Sequence, residues 1–325
     1  MLAQKRIPLF FLYILFMLPI ILVYMFIFIS SMDTALDRID YLALMDPNSL
    51  SRIEPILPII AYSLDFFVSN HVIKLSIIQF SFFLLLTVSV YNYFLPKYLI
   101  SLSKCFLVLL LCLILLSNPL GVQLRLGYAT ILFLYIIITF KEANYLKVIL
   151  LLFISFFMHY GVIFSILFFS YIRFFNIDTS KKFVFHTIII LTILTLVFSN
   201  IDFMFNLLGL SAYYLIYLSG ELEFGRALPY SVIMYVGLCF YIFLYIKEKN
   251  NPLYWFSLSG LWLVYVGFVL DFYLAFKFLV PISIFALFYV VNNLPKIKQP
   301  YAYTIAAYLL MPLAFYYFAI QVNYI

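Results

Sequence analysis

The sequence predicts an all-α polytopic membrane protein. About 10–11 transmembrane helices are expected, some of them short, broken or re-entrant, around an outward-facing cavity. Three observations predict this class. Of the 325 residues, 67% are hydrophobic and only 10% are charged. Mean hydropathy is +1.15. Apolar runs of span length recur throughout the sequence, punctuated by charge, Pro or Asn. Soluble domains carry roughly 25% charged residues, so this composition cannot clothe a water-facing globule.

The runs fall at 7–31, 71–94, 104–118, 121–140, 145–172, 183–200, 228–246, 253–270, 272–291 and 301–320. After Lys5 and Arg6 the chain stays apolar with no small-residue cleavage site, which marks a retained first span and not a signal peptide. Residues 1–325 read as a single transmembrane domain, with no room for a soluble catalytic or nucleotide-binding domain. Residues 32–70 form the first extracytoplasmic segment. Its apolar stretch 55–67 is too short to cross and is expected as a re-entrant or interfacial half-helix. Residues 201–227 read as an extracytoplasmic amphipathic loop ending Glu221-Leu222-Glu223-Phe224-Gly225-Arg226.

Ten simple spans with the N-terminus inside violate the positive-inside rule. Arg173, Lys181 and Lys182 would face out, and Asp202, Glu221 and Glu223 would face in. The run 145–172 is long for one span and is interrupted by Met158-His159-Tyr160-Gly161. Read as a hairpin of two short helices turning at His159, it returns most of the 19 basic residues to the inner side. A single long tilted helix is the alternative. Helices of about 14 residues reach only about 21 Å, against a hydrocarbon core of roughly 30 Å. They persist in a bilayer only when packed in protein or lining a wet cavity, hence the cavity expected around His159.

Arg38, Arg52, Lys74, Arg125, Arg226 and Lys277 remain away from the inner face. Arg125 follows the turn Asn118-Pro119-Leu120-Gly121-Val122-Gln123, and Lys277 lies inside a span, where an ionisable group is a functional candidate. Plainer readings exist for each: snorkelling for Arg125, an interhelical hydrogen bond for His159, a solvated loop for Glu221, Glu223 and Arg226. Cys105, Cys112 and Cys239 sit in apolar runs and read as packing residues. The net charge of +6 is scattered over span ends, which argues against nucleic acid as a partner. No His/Cys/Asp/Glu spacing suits a metal, and no cofactor is expected. No phosphate-binding loop, dinucleotide fingerprint or nucleophile elbow occurs. Arginines, a lysine and a histidine gathered on one side suit an anionic group such as a phosphate.

Four places in order carry a family resemblance. They are D-R-I-D-Y (37–41) with Glu54 before the half-helix, Q-L-R-L-G-Y-A (123–129), F-F-M-H-Y-G-V-I-F (156–164) and F-K-F-L-V-P (276–281). Together the chain resembles the Wzy-like polysaccharide polymerases of the EpsG type, which serve O-antigen, capsule or exopolysaccharide synthesis. It departs from them at Gly161 and Val162, where a small polar residue and alanine are usual, and at Lys277, where arginine is usual. The resemblance implies an inverting membrane glycosyltransferase of the C-type architecture. It would join oligosaccharide repeat units carried on undecaprenyl pyrophosphate, on the outer side of a bacterial cytoplasmic membrane. Membrane lipids, a chain-length regulator and a flippase are the further partners it implies. Arg125, Arg226 and Lys277 are then expected on the pyrophosphate, and Arg38 and Tyr41 on sugar. His159 is the first candidate for general base, because its ordinary pKa of about 6.5 suits proton removal near neutrality. Glu54 or Asp37 is the second. A glycan ligase using the same carrier, or a flippase or transporter of lipid-linked sugars, stays open beside the polymerase.

Overall fold

The computed structural model describes residues 2–35, 38–46, 55–94, 99–139, 145–200, 230–247, 249–269, 275–294 and 302–323. Among these every regular element is helical and no strand occurs. Five of the described helices are long and apolar enough to cross a membrane: Phe10–Ser30, His71–Phe94, Ser180–Phe198, Pro252–Val269 and Ala275–Asn292. The chain divides into two compact units. One joins Met1–Val162 to Leu294–Ile325, and the other is Ile163–Asn293.

In the first unit, α1 (Leu2–Ser30), α4 (His71–Phe94), α5 (Leu99–Leu115), α7 (Leu124–Thr139) and α8 (Tyr145–Met158) supply the bulk. The short helices α2 (Arg38–Ala43), α3 (Ile56–Leu64) and α6 (Ser117–Gly121) connect them. The last helix of the chain, α15 (Ala302–Gln321), belongs to this unit and packs along α5. Helix α4 is central, touching α1, α5 and α7. Across the α1–α4 contact Tyr13 donates to the Thr87 carbonyl at 2.9 Å, and the rings of Tyr24 and Phe83 lie 4.4 Å apart. Cys105 and Cys112 are buried thiols on α5, in a row with Val108, Leu109 and Leu116.

Helix α1 reveals the surroundings. Tyr13, Met17, Ile20, Tyr24 and Ile27 form its buried stripe, while Phe11, Leu15, Leu18, Leu22, Phe26 and Ile29 form an exposed one. Both recur at helical spacing. An outward stripe with no polar residue is expected where the outer medium is hydrocarbon and not water.

In the second unit, α9 (Ile163–Phe174), α10 (Ser180–Phe198), α11 (Tyr230–Tyr245) and α12 (Pro252–Val269) are followed by α13 (Ala275–Phe278) and α14 (Val280–Asn292). Helix α14 is buried along its whole length from Val280 to Val291, with α11 and α12 against it. Close contact between α12 and α13 depends on Gly267, where a Cβ would sit 2.2 Å from the Phe276 ring. Small residues let apolar helices approach where hydrophobic burial gives no preference for protein over lipid. Aromatic rings fill the α10–α12 contact: Phe183 stacks on Trp255 at 4.8 Å, and Trp262 donates to Thr187 Oγ1 at 3.1 Å. Before α10, Asp178 pairs with Lys182 at 2.9 Å. The Lys182 hydrogen bond holds the Asp178 carboxyl below its ordinary pKa. Any stabilisation from this exposed pair is therefore present above the ordinary carboxylate pKa and lost as pH falls through the lowered one.

The outward stripe of α1 yields a test. Leu22→Lys places a charge near the middle of that span, at a cost of about 2.5–3.5 kcal/mol on the insertion scale. The fraction of protein that resists alkaline extraction from membranes should drop severalfold, while Leu22→Phe should leave it unchanged.

Candidate functional site

The site grows from a broken helix. Helix α5 ends at Leu115, α6 occupies only Ser117–Gly121, and α7 starts afresh at Leu124. Pro119 brings no N–H to this stretch, and the break leaves main-chain carbonyls without helical donors. In apolar surroundings an unmet carbonyl is expensive. Two adjacent ones are met by side chains. The Leu120 carbonyl accepts from Gln79 Nε2 at 3.1 Å and from the Tyr24 hydroxyl at 3.4 Å. The Gly121 carbonyl accepts from Arg38 Nη2 at 2.7 Å. Gln79 also donates to the Tyr24 hydroxyl and accepts from the Tyr128 hydroxyl, so both ends of its amide are used. Gln79, Tyr24 and Tyr128 are all fully buried.

The turn is tight because Gly127 permits it. A Cβ there would lie 2.6 Å from the Pro119 carbonyl oxygen. On the far side, Asn118 Nδ2 donates to Gln321 Oε1 of α15 at 3.1 Å.

Arg38 is buried, 1% exposed, with its guanidinium 3.7 Å from the Phe28 ring centre. Its Nε has no hydrogen-bond partner among the described residues. Burial pushes its pKa down to about 10, with Tyr128, Tyr24 and Tyr41 acting in the opposite direction. The same segment is clamped by Lys74, in the first turn of α4. Its ammonium donates to the Met45 carbonyl at 3.2 Å and pairs with Asp65, just beyond α3. Helix α3 buries Leu57 and Ala61 and turns Ile59 and Tyr62 outward.

Arg125 stands in the first turn of α7, half-buried, with its guanidinium 6.0 Å from the ring centre of the buried Tyr41. Helix α8 runs toward the same end of the unit and stops at Met158. His159 follows, half-buried. One 3₁₀ turn, Tyr160–Val162, then packs against α7.

A single hydrogen bond sets the register of the two helices. Ser155 Oγ donates to the Ala129 carbonyl at 2.8 Å. Arg125 lies one turn outward from Ala129 on α7, and His159 one turn outward from Ser155 on α8. The antiparallel pairing of α7 and α8 therefore brings both to the same level along the helices.

Of the residues expected from sequence, Arg38, Tyr41, Arg125 and His159 occupy this one end of the first unit. Asp37, Glu54 and Arg226 lie outside the described residues. Lys277 belongs to the second unit, half-buried in α13, and Pro281 supplies no N–H to its carbonyl. Sequence reading missed Gln79, Tyr24 and Tyr128. The available signal was an amide two turns into an apolar span, a place where polar side chains rarely stand without a partner. Among the described residues no three His, Cys, Asp or Glu side chains gather as metal ligands.

The helices define the class as far as length and composition can: they are compatible with a multi-pass helical membrane protein. Compared with known protein families, characterised proteins and solved structures, the chain matches none.

Gln79→Leu is the sharpest test of this arrangement. It keeps the volume but removes a donor to Leu120 and the acceptor of Tyr128, at a cost of about 1–3 kcal/mol. Thermal unfolding in detergent should show a Tm several degrees lower, with no comparable change for Ser81→Ala on the exposed side of the same helix.

Proposed function

We propose that the chain is a polymerase of undecaprenyl-pyrophosphate-linked oligosaccharide repeat units. In this reading it is an inverting, C-type-like glycosyltransferase in the bacterial cytoplasmic membrane, working on the outer side. The observation that carries the proposal is the placement of Arg125 and His159 at the same level at one end of an apolar unit, each beside a helix break. The family resemblance of the four sequence motifs supports the same reading.

The chemistry asks little of the protein beyond positioning. An acceptor hydroxyl oxygen attacks the anomeric carbon of a glycan held on a second lipid carrier. As the new glycosidic C–O bond forms, the bond from that carbon to pyrophosphate breaks, and its electron pair leaves with the pyrophosphate oxygen. The hydroxyl proton is lost, and attack opposite the leaving group inverts the centre. The protein must align the two chains and stabilise negative charge on the leaving group. Arg125, partly accessible and held beside Tyr41, is the residue assigned to that charge, because its planar fork suits phosphate oxygens. Arg38 is assigned to the fold, since its guanidinium is committed to Gly121 and Phe28.

A deletion strain complemented in turn with wild type and Arg125→Ala tests the reading. Wild type should restore a ladder of glycan lengths. Arg125→Ala, inserted at the same level, should leave only single repeat units on the final acceptor, a loss of at least about 100-fold in polymer. A full ladder from Arg125→Ala would remove that residue from the mechanism. Repeat units stranded on the cytoplasmic side would replace the polymerase with a transporter, and unpolymerised units missing from the acceptor would favour a ligase.

A further inference from the structure

We propose that the turn between α9 and α10 binds an anionic phospholipid, with its phosphate on Lys181 and Arg173 and an acyl chain along the exposed face of α10. The inference lies within the second unit and stands whatever the chain catalyses.

The turn is firmly built. Asn176 takes a left-handed backbone, with φ 44°, which lets Ile177 N donate to the Ile172 carbonyl at 3.0 Å and closes α9. Ile177 is fully buried beneath the turn. Thr179 then caps α10, its hydroxyl accepting from Lys182 N at 3.4 Å. Tyr171 and His186 share a hydrogen bond of 2.8 Å across the two helices, so the end of α9 and the start of α10 are held together. Three cations, Arg173, Lys181 and Lys182, stand exposed here. Lys182 is committed to Asp178 and to the Asn176 carbonyl. The side chains of Arg173 and Lys181 have no hydrogen-bond or ion-pair partner among the described residues. Three basic residues against one carboxylate leave two positive charges unbalanced between 173 and 182.

Helix α10 is long and apolar enough to cross a membrane from Ser180 onward, which sets its first turn at a membrane face. Its two sides differ. Phe183 and Thr187 meet Trp255 and Trp262 of α12, and Ile190 and Leu194 are buried on that same side. Opposite them Lys181, Val184, Phe185 and Ile188 are exposed, at a spacing that puts all four on one helical stripe. An uncommitted cation therefore heads an uncovered apolar strip, which is the order of phosphate and hydrocarbon in a phospholipid. Phe174 and Phe175, both exposed, add apolar ground beside Arg173, and aromatic residues mixed with cations mark the headgroup level. The positive-inside rule sets the turn on the cytoplasmic side, where anionic lipids attract such residues. The carrier pyrophosphate of the proposed reaction belongs to the outer side, so the occupant assigned here is a lipid of the surrounding leaflet.

The test follows thermal unfolding of the full-length protein in detergent while phosphatidylglycerol, phosphatidylcholine with the same acyl chains, or glycerol phosphate is added. Phosphatidylglycerol should raise Tm to a plateau, and the other two should not. Lys181→Gln combined with Arg173→Gln should need at least about 10-fold more phosphatidylglycerol for half the rise. Lys181→Arg combined with Arg173→Lys keeps both charges and should respond as wild type does. Lys247→Gln combined with Lys249→Gln removes two exposed cations elsewhere in the same unit and should leave the response unchanged.

An equal rise with phosphatidylcholine, or an equal loss in the Lys247 and Lys249 variant, would overturn the site, because the effect would then be general to the surface. A rise with glycerol phosphate matching that with phosphatidylglycerol would make the turn a site for small anions and overturn the lipid assignment. Native mass spectrometry counts lipids on the folded species alone and so reads the glutamine variant even where its Tm without lipid is lower. Fewer phosphatidylglycerol molecules should be retained than on wild type, and the same number would overturn the proposal. A chain that makes no polymer yet shows this lipid response would refute the polymerase reading and leave the lipid site standing.

Discussion

A carbonyl released inside an apolar unit must find a donor, and this requirement organises the first half of the molecule. Helices α5 and α7 do not join smoothly. The break between them bares Leu120 and Gly121, and three helices answer with side chains: Tyr24 from α1, Arg38 from α2, and Gln79 from α4. Each of these donors would itself be costly to bury alone. Together they form a network in which the Gln79 amide and both tyrosine hydroxyls are engaged, and a network satisfied to this degree rigidifies its surroundings. The position of Arg125 follows, since it lies four residues beyond Gly121. The Nε of Arg38 finds no hydrogen-bond partner among the described residues.

The rest of the site is placed by contacts that only small groups allow. Gly127 lets α7 fold back on Pro119, and Ser155 reaches the Ala129 carbonyl only because neither residue is bulky. Lys74 and Asp65 perform a parallel task on the other side, fixing the segment after α1 to the start of α4. Breaking such a buried pair by removing one partner strands a charge, so these two residues are a unit. The outward face of α1, by contrast, stays apolar.

Much of this plan was legible in the residues. Asn118-Pro119-Leu120-Gly121 announced a helix break before Arg125, and Met158-His159-Tyr160-Gly161 announced a second one. Both are present, with α6 and a 3₁₀ turn at those places. The burial of Cys105, Cys112 and Cys239 was also readable, as thiols within apolar runs. What sequence could not convey is who satisfies a main-chain carbonyl. The partner of Leu120 is forty-one residues away in the chain, and carbonyls are the same in every residue type. For the same reason the resemblance could set Arg38 among sugar contacts but could not convey that its guanidinium lies buried against Gly121 and Phe28. His159 was read as a candidate base, and nothing in the sequence announced that its Nδ1 accepts from the amide two positions on.

The first unit is not continuous in the chain. It begins with α1 through the turn at Val162, and is finished by α15 only after the whole second unit has passed. Helix α15 lies along α5, and its end meets the break directly: Gln321 accepts from Asn118, and Val322 accepts from Thr34. During synthesis, therefore, the polar end stands without its flank until α15 emerges after the second unit. Assembly order is built into the connectivity: the part of the molecule that carries Arg125 precedes the second unit in the chain and is closed by α15 only after it.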